Sequence, residues 1–301
     1  PTLGQERQLA PKPAETKKSV MVVGGGPDGM ECAQTLAERG HDVTIYEKTG
    51  ALGGRTKLAA MIKSGGCEEV MHIFDYLTTM IEKSDVKVSL KTEVDERLIR
   101  KVAPDAVVVA NSSPYFIPDI PGMNRKNVFT IPMMSKLAQV PMKMFGPDKL
   151  ASMSEKFFPV GKKVLIWGAG AEGAQCAEFM RKRGKEIVLV AENDDIGGMI
   201  PLKYKERIVP WFERKNVRIV RNSTVAEFTK KGAVVRGMDG SEELIACDSM
   251  MVMLPEERDP EFFDMVRSIV PEAYEIGSTL GGENAFFKHA FADGRRVGCL
   301  I

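Results

Sequence analysis

The chain has 301 residues, with 42 Lys and Arg against 41 Asp and Glu and a net charge of +1. That length allows two domains of ordinary size, and the balanced charge gives no reason to expect a nucleic-acid or anionic-membrane partner. Hydrophobic residues make up 44% and charged residues 28%, with no apolar run as long as a membrane span and no charged-then-apolar leader, so the expected setting is the cytoplasm.

Residues 1–18 are polar, Pro-rich and without periodicity, and read as a linker or strap. The chain opens on Pro1, not on methionine, which points to a longer polypeptide upstream. Ser19–Val23 is a short apolar run of the kind that forms a strand buried on both faces. It leads into Gly24-Gly25-Gly26-Pro27-Asp28-Gly29, a helical stretch closed by Gly40, and a second strand ending at Glu47. This is a β-α-β unit of about thirty residues. Met71–Leu77 has helical spacing and reads as a core-facing helix. The methionines at 133, 134, 142, 144 and 153 fall at no single helical spacing, and core gap-filling is preferred over a docking surface.

The same grammar returns at Lys163–Trp167, then Gly168-Ala169-Gly170-Ala171-Glu172-Gly173, a helix closed by Gly184, and a strand running to Glu192. Leu52-Gly53-Gly54 after the first unit has a counterpart in Ile196-Gly197-Gly198, and the strand from Asp105 has one in the strand from Asp248. Between Val217 and Ala246, breaks at Lys231-Gly232 and Asp239-Gly240 predict a β-meander. The segment from Tyr274 predicts one more strand and helix with no third Gly-rich loop, so it completes the first sheet. The predicted fold is α/β: two Rossmann-like dinucleotide-binding domains, the second inserted in the first. The expected boundaries are a discontinuous first domain of residues 19–155 and 255–301, and a second of 156–254.

A dinucleotide brings a pyrophosphate, which needs backbone N–H groups at a helix N-terminus and nothing bulky in the way. Gly24 makes the tight turn, Gly26 admits the phosphates, Gly29 lets helix and strand approach, and Pro27 suits a first turn where no N–H is needed. Glu47 is placed to accept from an adenosine ribose. Arg55, after Gly53-Gly54, reads equally as a phosphate-side cation or as a solvated one. A single such glycine pattern is weak evidence; two copies in strand–helix context are strong. In the second copy, Gly168, Gly170, Ala171, Glu172 and Gly173 form the loop, and Glu192 with Asp194 and Asp195 nearby favours NADH over NADPH. Lys203 and Arg207 keep NADPH open. The five cysteines form no C-x-x-C pair, which excludes a redox dithiol of the thioredoxin-reductase kind, and the three histidines lack partners for a metal or a Ser-His-Asp triad.

The strings KKSVMVVGGGPDGMECA, YEKTGALGGR and FADGRRVG, with the opening PTLGQE, resemble the C-terminal half of the fused flavoenzymes that include 2,4-dienoyl-CoA reductase, 2-enoate reductase and trimethylamine dehydrogenase. The resemblance covers essentially the whole chain. It implies FAD and a pyridine nucleotide here, and an FMN and [4Fe–4S] barrel as partner domain or subunit, with homo-oligomerisation through the parent protein. Hydride would pass from nicotinamide to FAD, and electrons on through the cluster to FMN, where an enoate or enoyl-type substrate is reduced. No catalytic side chain is expected, since hydride transfer needs positioning and electrostatics only.

Carried over by motif, FAD contacts fall on Gly24, Gly26, Pro27, Asp28, Gly29, Glu47, Lys48, Gly54, Arg55, the backbone at Val94, Ala110, Asn111 and Ser278. Two departures from the family pattern stand out: Asn111-Ser112 where Thr-Gly is usual, and Gly277-Ser278 where Gly-Asp is usual. A charged hydrogen-bond partner lost at 278 is worth on the order of 1.5–3 kcal/mol. The competing reading is a non-catalytic nucleotide-binding scaffold with one vestigial or ADP-type site.

Overall fold

The computed structural model describes all of the chain except residues 1–3, 6, 57, 58, 60, 61, 63–66, 112, 113, 157, 199, 201, 259 and 278–286. It divides into two compact units: Pro1–Lys57, Glu68–Pro114 and Glu256–Ile301 in the first, and Leu58–Cys67 and Tyr115–Pro255 in the second.

In the first unit the strands are β1 (Ser19–Val23), β2 (Asp42–Glu47), β3 (Lys87–Leu90), β4 (Ala106–Val109) and, far along the chain, β13 (Ala273–Glu275). They form one parallel sheet in the order β13-β4-β1-β2-β3. The helices are α1 (Pro27–Glu38), α2 (Cys67–Glu82), α3 (Glu96–Val102), α7 (Pro260–Ile269) and α8 (Phe287–Leu300). Strand side chains alternate between the two faces, so β1 sends Val20 and Val22 into a core with Met30 and Leu36 of α1, Leu77 of α2 and Phe291 of α8. Met21 and Val23 enter a second core with Ile99 of α3 and Val266 of α7. Both faces are covered, which is why β1 and β4 are unbroken apolar runs.

α8 lies close on α1. A methyl at Gly294 would sit 2.5 Å from the Asp28 carbonyl oxygen, and one at Gly298 would sit 2.6 Å from Thr35 Cβ. The N-terminal strap is tied to the same unit: Arg295 Nε donates to Leu9 O (3.0 Å), and Lys18 Nζ pairs with Glu272 at 2.7 Å.

The second unit has a parallel sheet in the order β5-β12-β6-β7-β8 and an antiparallel sheet β11-β10-β9. The parallel strands are β5 (Val128–Thr130), β6 (Lys163–Trp167), β7 (Glu186–Val190), β8 (Arg218–Val220) and β12 (Ser249–Val252). The meander is β9 (Ser223–Phe228), β10 (Gly232–Gly237) and β11 (Glu242–Ala246). Its helices are α4 (Ile131–Lys156), broken at Gly146 with φ 73°, α5 (Ala171–Lys182) and α6 (Leu202–Arg214). Trp167 of the parallel sheet and Phe228 of the meander meet edge to face at 6.3 Å inside one core.

The structure corrects two expectations. Residues 115–155 belong with the second unit, not the first, because β5 pairs with β12; a three-residue strand is too short to announce its partner in the sequence. Met133, Met144 and Met153 are exposed on α4, so gap-filling in a core does not describe them.

Candidate functional site: two glycine loops at helix N-termini

The first loop joins β1 to α1. Gly24 has φ +108°, its N–H donates to Tyr46 O (2.9 Å), and a methyl there would lie 2.5 Å from Ala110 O. No L side chain fits that turn. Gly26 caps α1 in an extended conformation with no side-chain cap, and Pro27 opens the helix. A methyl at Gly29 would lie 2.1 Å from Gly24 O, so this glycine sets how closely helix and turn approach. Gly54 backs onto the loop, its would-be Cβ 3.4 Å from Gly26 Cα, and Gly53 N–H donates to Gly25 O (2.7 Å).

The second loop repeats this almost atom for atom. Gly168 has φ +101°, donates to Val190 O (3.0 Å), and leaves room for no methyl beside Met253 O (2.3 Å). A methyl at Gly173 would lie 1.7 Å from Gly168 O. Gly197 N–H donates to Ala169 O (2.7 Å), and the would-be Cβ of Gly198 is 3.5 Å from Gly170 Cα. Nothing lies within 4 Å of a Cβ built on Gly170, which caps α5 without a side-chain bond. Open backbone N–H groups at an uncapped helix start are what a pyrophosphate needs, so the residues present fit that group.

The chemistry round the loops differs. Glu47 is buried at 6% exposure, and its two oxygens accept from Gly25 N–H (2.9 Å) and Thr49 N–H (2.7 Å). In the second loop the register is shifted by one from the sequence expectation. Gly24 bonds to Tyr46 and Gly168 to Val190, so the position matching Glu47 is Ala191, and Glu192 lies one residue further out. Glu192 is exposed and has no hydrogen-bond or ion-pair partner among the described residues. Asp194 has Asn222 Nδ2 at 3.2 Å and Arg221 at 4.0 Å, and Asp195 pairs with Lys205. Arg207 is drawn to Glu178 (3.6 Å) and lies over the Tyr204 ring, while Lys203 is exposed.

The structure brings Gly24, Gly26, Pro27, Asp28, Gly29, Gly54, Ala110 and Asn111 together at the start of α1. Arg55 is half-buried there and ion-paired with Glu256, whose side chain is 6% exposed. Lys48 is exposed, and Val94 is a core residue in the loop whose Thr92 N–H reaches Glu47 O (2.9 Å). Ser278 lies outside the described residues. In the second loop Ala171 is half-buried and Glu172 exposed. Sequence reasoning missed Glu256, which is some two hundred residues from Arg55 in the chain and carries no local signal, and Arg221, which sits beside the second loop only because β8 pairs with β7.

The free thiols among the described residues are Cys32, Cys176, Cys247 and Cys299. Burial pushes the Cys32 thiol well up, Cys176 to about 12 and Cys247 to about 11, so these are not thiolate nucleophiles near neutrality. Among the described residues there is no cluster that could hold a metal and no helix long and apolar enough to cross a membrane.

Two parallel sheets, each with a glycine loop feeding a helix at its first turn, define a protein of the two-dinucleotide class. The chain belongs to the pyridine nucleotide-disulphide oxidoreductase family, whose sequence profile matches residues 18–262. Members of that family are oxidoreductases whose cofactors are FAD and a pyridine nucleotide. It is 25% identical over 288 residues to an NADH oxidase of Thermoanaerobacter brockii, covering 93% of this chain and 42% of that protein. It is 27% identical to a cinnamate reductase of Clostridium sporogenes, covering 95% and 40%. The structure of 2-naphthoyl-CoA reductase with 2-naphthoyl-CoA matches 97% of this chain and 41% of that one, at TM-score 0.78 and 28% identity. The chain thus spans about two fifths of the length of these relatives, as the C-terminal FAD- and NAD-binding half of the 2-enoate reductase group.

Proposed function

We propose that this chain is the electron-input part of a larger reductase. The first unit holds FAD through Gly24, Gly26, Gly29 and the Gly53-Gly54 turn, and the second holds NADH through Gly168, Gly170 and Gly173. The observation that carries the reading is the duplicated loop: one backbone design, built twice, with an open cradle at Gly170. FAD supplies the two-electron acceptor for a nicotinamide hydride when bound. The chain's own residues bind and orient: glycine N–H groups take the phosphates, Glu47 holds the loop that frames them, and no side chain has to act as nucleophile. The relatives' extra length supports an FMN and iron–sulfur barrel as electron acceptor, with reduction of an enoate or enoyl-type substrate there. NADH is favoured by the acidic run at Glu192, Asp194 and Asp195.

The test is anaerobic titration of the purified chain with NADH and NADPH, with the flavin released and identified by mass. A chain that carries FAD and bleaches with NADH supports the reading. A chain that carries only FMN, or whose FAD is not reduced by either coenzyme, overturns it. One observation favours the scaffold alternative: Asp28 buries an acid in the first cradle, where a pyrophosphate must come.

A further inference from the structure

Asp28 is the second residue of α1 and is 6% exposed. Its carboxyl is wedged between two glycines that line the start of the helix. A methyl at Gly26 would lie 2.7 Å from Oδ1, and one at Gly277 would lie 1.9 Å from Oδ2. The backbone N–H groups of Gly29 and of Asp28 itself point at it. Those donors belong to the set that a helix N-terminus offers an anion, so the carboxyl and an incoming phosphate address the same place.

The charged groups facing Asp28 leave it uncompensated. Arg55 attracts it, but Arg55 is paired with Glu256, which repels it. Glu47, at the end of β2, is held by Gly25 and Thr49. On the α1–α8 side, Glu31 is within 3.8 Å of Arg295, and Asp293 pairs with Arg296 at 2.8 Å. Cys32 lies on the same helix and is a buried thiol.

We propose that Asp28 governs how tightly the first loop holds a dinucleotide: protonated, its carboxyl donates a hydrogen bond to a pyrophosphate oxygen, and ionised, it sets a negative charge against that oxygen. The proposal rests on the assignment of FAD to the first unit. Burial raises the acid's pKa from 3.8 to about 7, so the exchange between the two forms falls near neutrality. The diphosphate keeps its charge through this range, so a pH dependence there belongs to the protein.

The experiment is equilibrium binding of FAD to the full chain from about pH 6 to about pH 9, followed by flavin fluorescence, for the unmutated chain, Asp28→Asn and Asp28→Ala. Linkage sets the slope: Kd for the unmutated chain approaches about a tenfold rise per pH unit above neutrality. Asp28→Asn keeps the donor and removes the charge, so its Kd is low and flat. Asp28→Ala is also flat, but weaker than Asp28→Asn because the donor is gone. NADH binding to the second loop, measured over the same range, stays level and reports that the chain remains folded. A flat profile in the unmutated chain, or the same slope in either variant, overturns the proposal and leaves FAD binding standing. No FAD at any pH overturns the assignment of the first unit and this proposal with it. If Asp28→Asn does not fold, the unmutated profile and Asp28→Ala decide alone.

Discussion

At the start of α1 two acids are buried: Glu47, held by two backbone N–H groups, and Asp28, wedged between Gly26 and Gly277. At the start of α5 the corresponding positions hold Ala191, which has no carboxylate, and Glu172, which is exposed. The turn, the close-packed third glycine and the backing Gly-Gly pair are the same in both. Steric rules for bringing a phosphate to a helix allow few backbones, so the two loops share one; the charges around them are free to diverge, and there the two units separate in chemistry.

The largest effect should come from breaking what is common. Gly29→Ala and Gly173→Ala each drive a methyl into a backbone carbonyl, at 2.1 and 1.7 Å. Each is expected to cost about 3 kcal/mol or more, and neither unit should be spared relative to the other, as judged by denaturant unfolding.

Next come the second glycines, which separate binding from folding. Gly170→Ala meets nothing within 4 Å, so its stability should hold while affinity for NADH falls at least about tenfold. Gly26→Ala meets only the tip of Asp28 and should strip flavin while leaving NADH binding intact. Loss of flavin in Gly170→Ala would show that the two assignments are reversed.

A smaller effect sharpens the difference in buried charge. Asp28 has a folded pKa raised from 3.8 to about 7, so the stability tied to its protonated form is full below about pH 4 and is lost as pH rises through about 7. Asp28→Asn should therefore be the more stable protein at pH 8, by about 1–3 kcal/mol, and the gain should shrink toward pH 4. Thermal melts of the flavin-free chain at the two pH values measure it. Glu172→Gln, at the exposed counterpart, should change nothing measurable.

Coenzyme choice tests the charges round the second loop. Among the described residues Glu192 has no partner, and Asp194 has Arg221 only at 4.0 Å. NADH should bind about ten- to a hundredfold better than NADPH, and Glu192→Ser with Asn193→Arg should narrow or invert that, as read by stopped-flow flavin reduction. Equal affinities in the unmutated chain would mean that Arg221 reaches the ribose and Glu192 does not.

Much of this was legible in the sequence because it is local. A strand, three glycines at fixed offsets and a helix occupy about thirty consecutive residues, and the chain carries that pattern twice. The late strand was legible too, since the segment from Tyr274 has no glycine loop of its own and needs an existing sheet to join. The strand at Val128–Thr130 was not, because it joins β12, more than a hundred residues on, and no local motif ties it to that sheet.

What only the tertiary structure decided is whatever depends on which distant backbone comes alongside. The parallel pairing of β7 with β6 gives Ala191 the place in its own unit that Glu47 holds in the first, with Glu192 one residue further out. Glu256 reaches Arg55, and Gly277 closes over Asp28, from the far end of the chain. In the sequence Asp28 is one polar residue in a helix's first turn, where acids are ordinarily welcome. Only burial, which is a property of everything packed around it, makes it an acid whose proton matters near neutral pH.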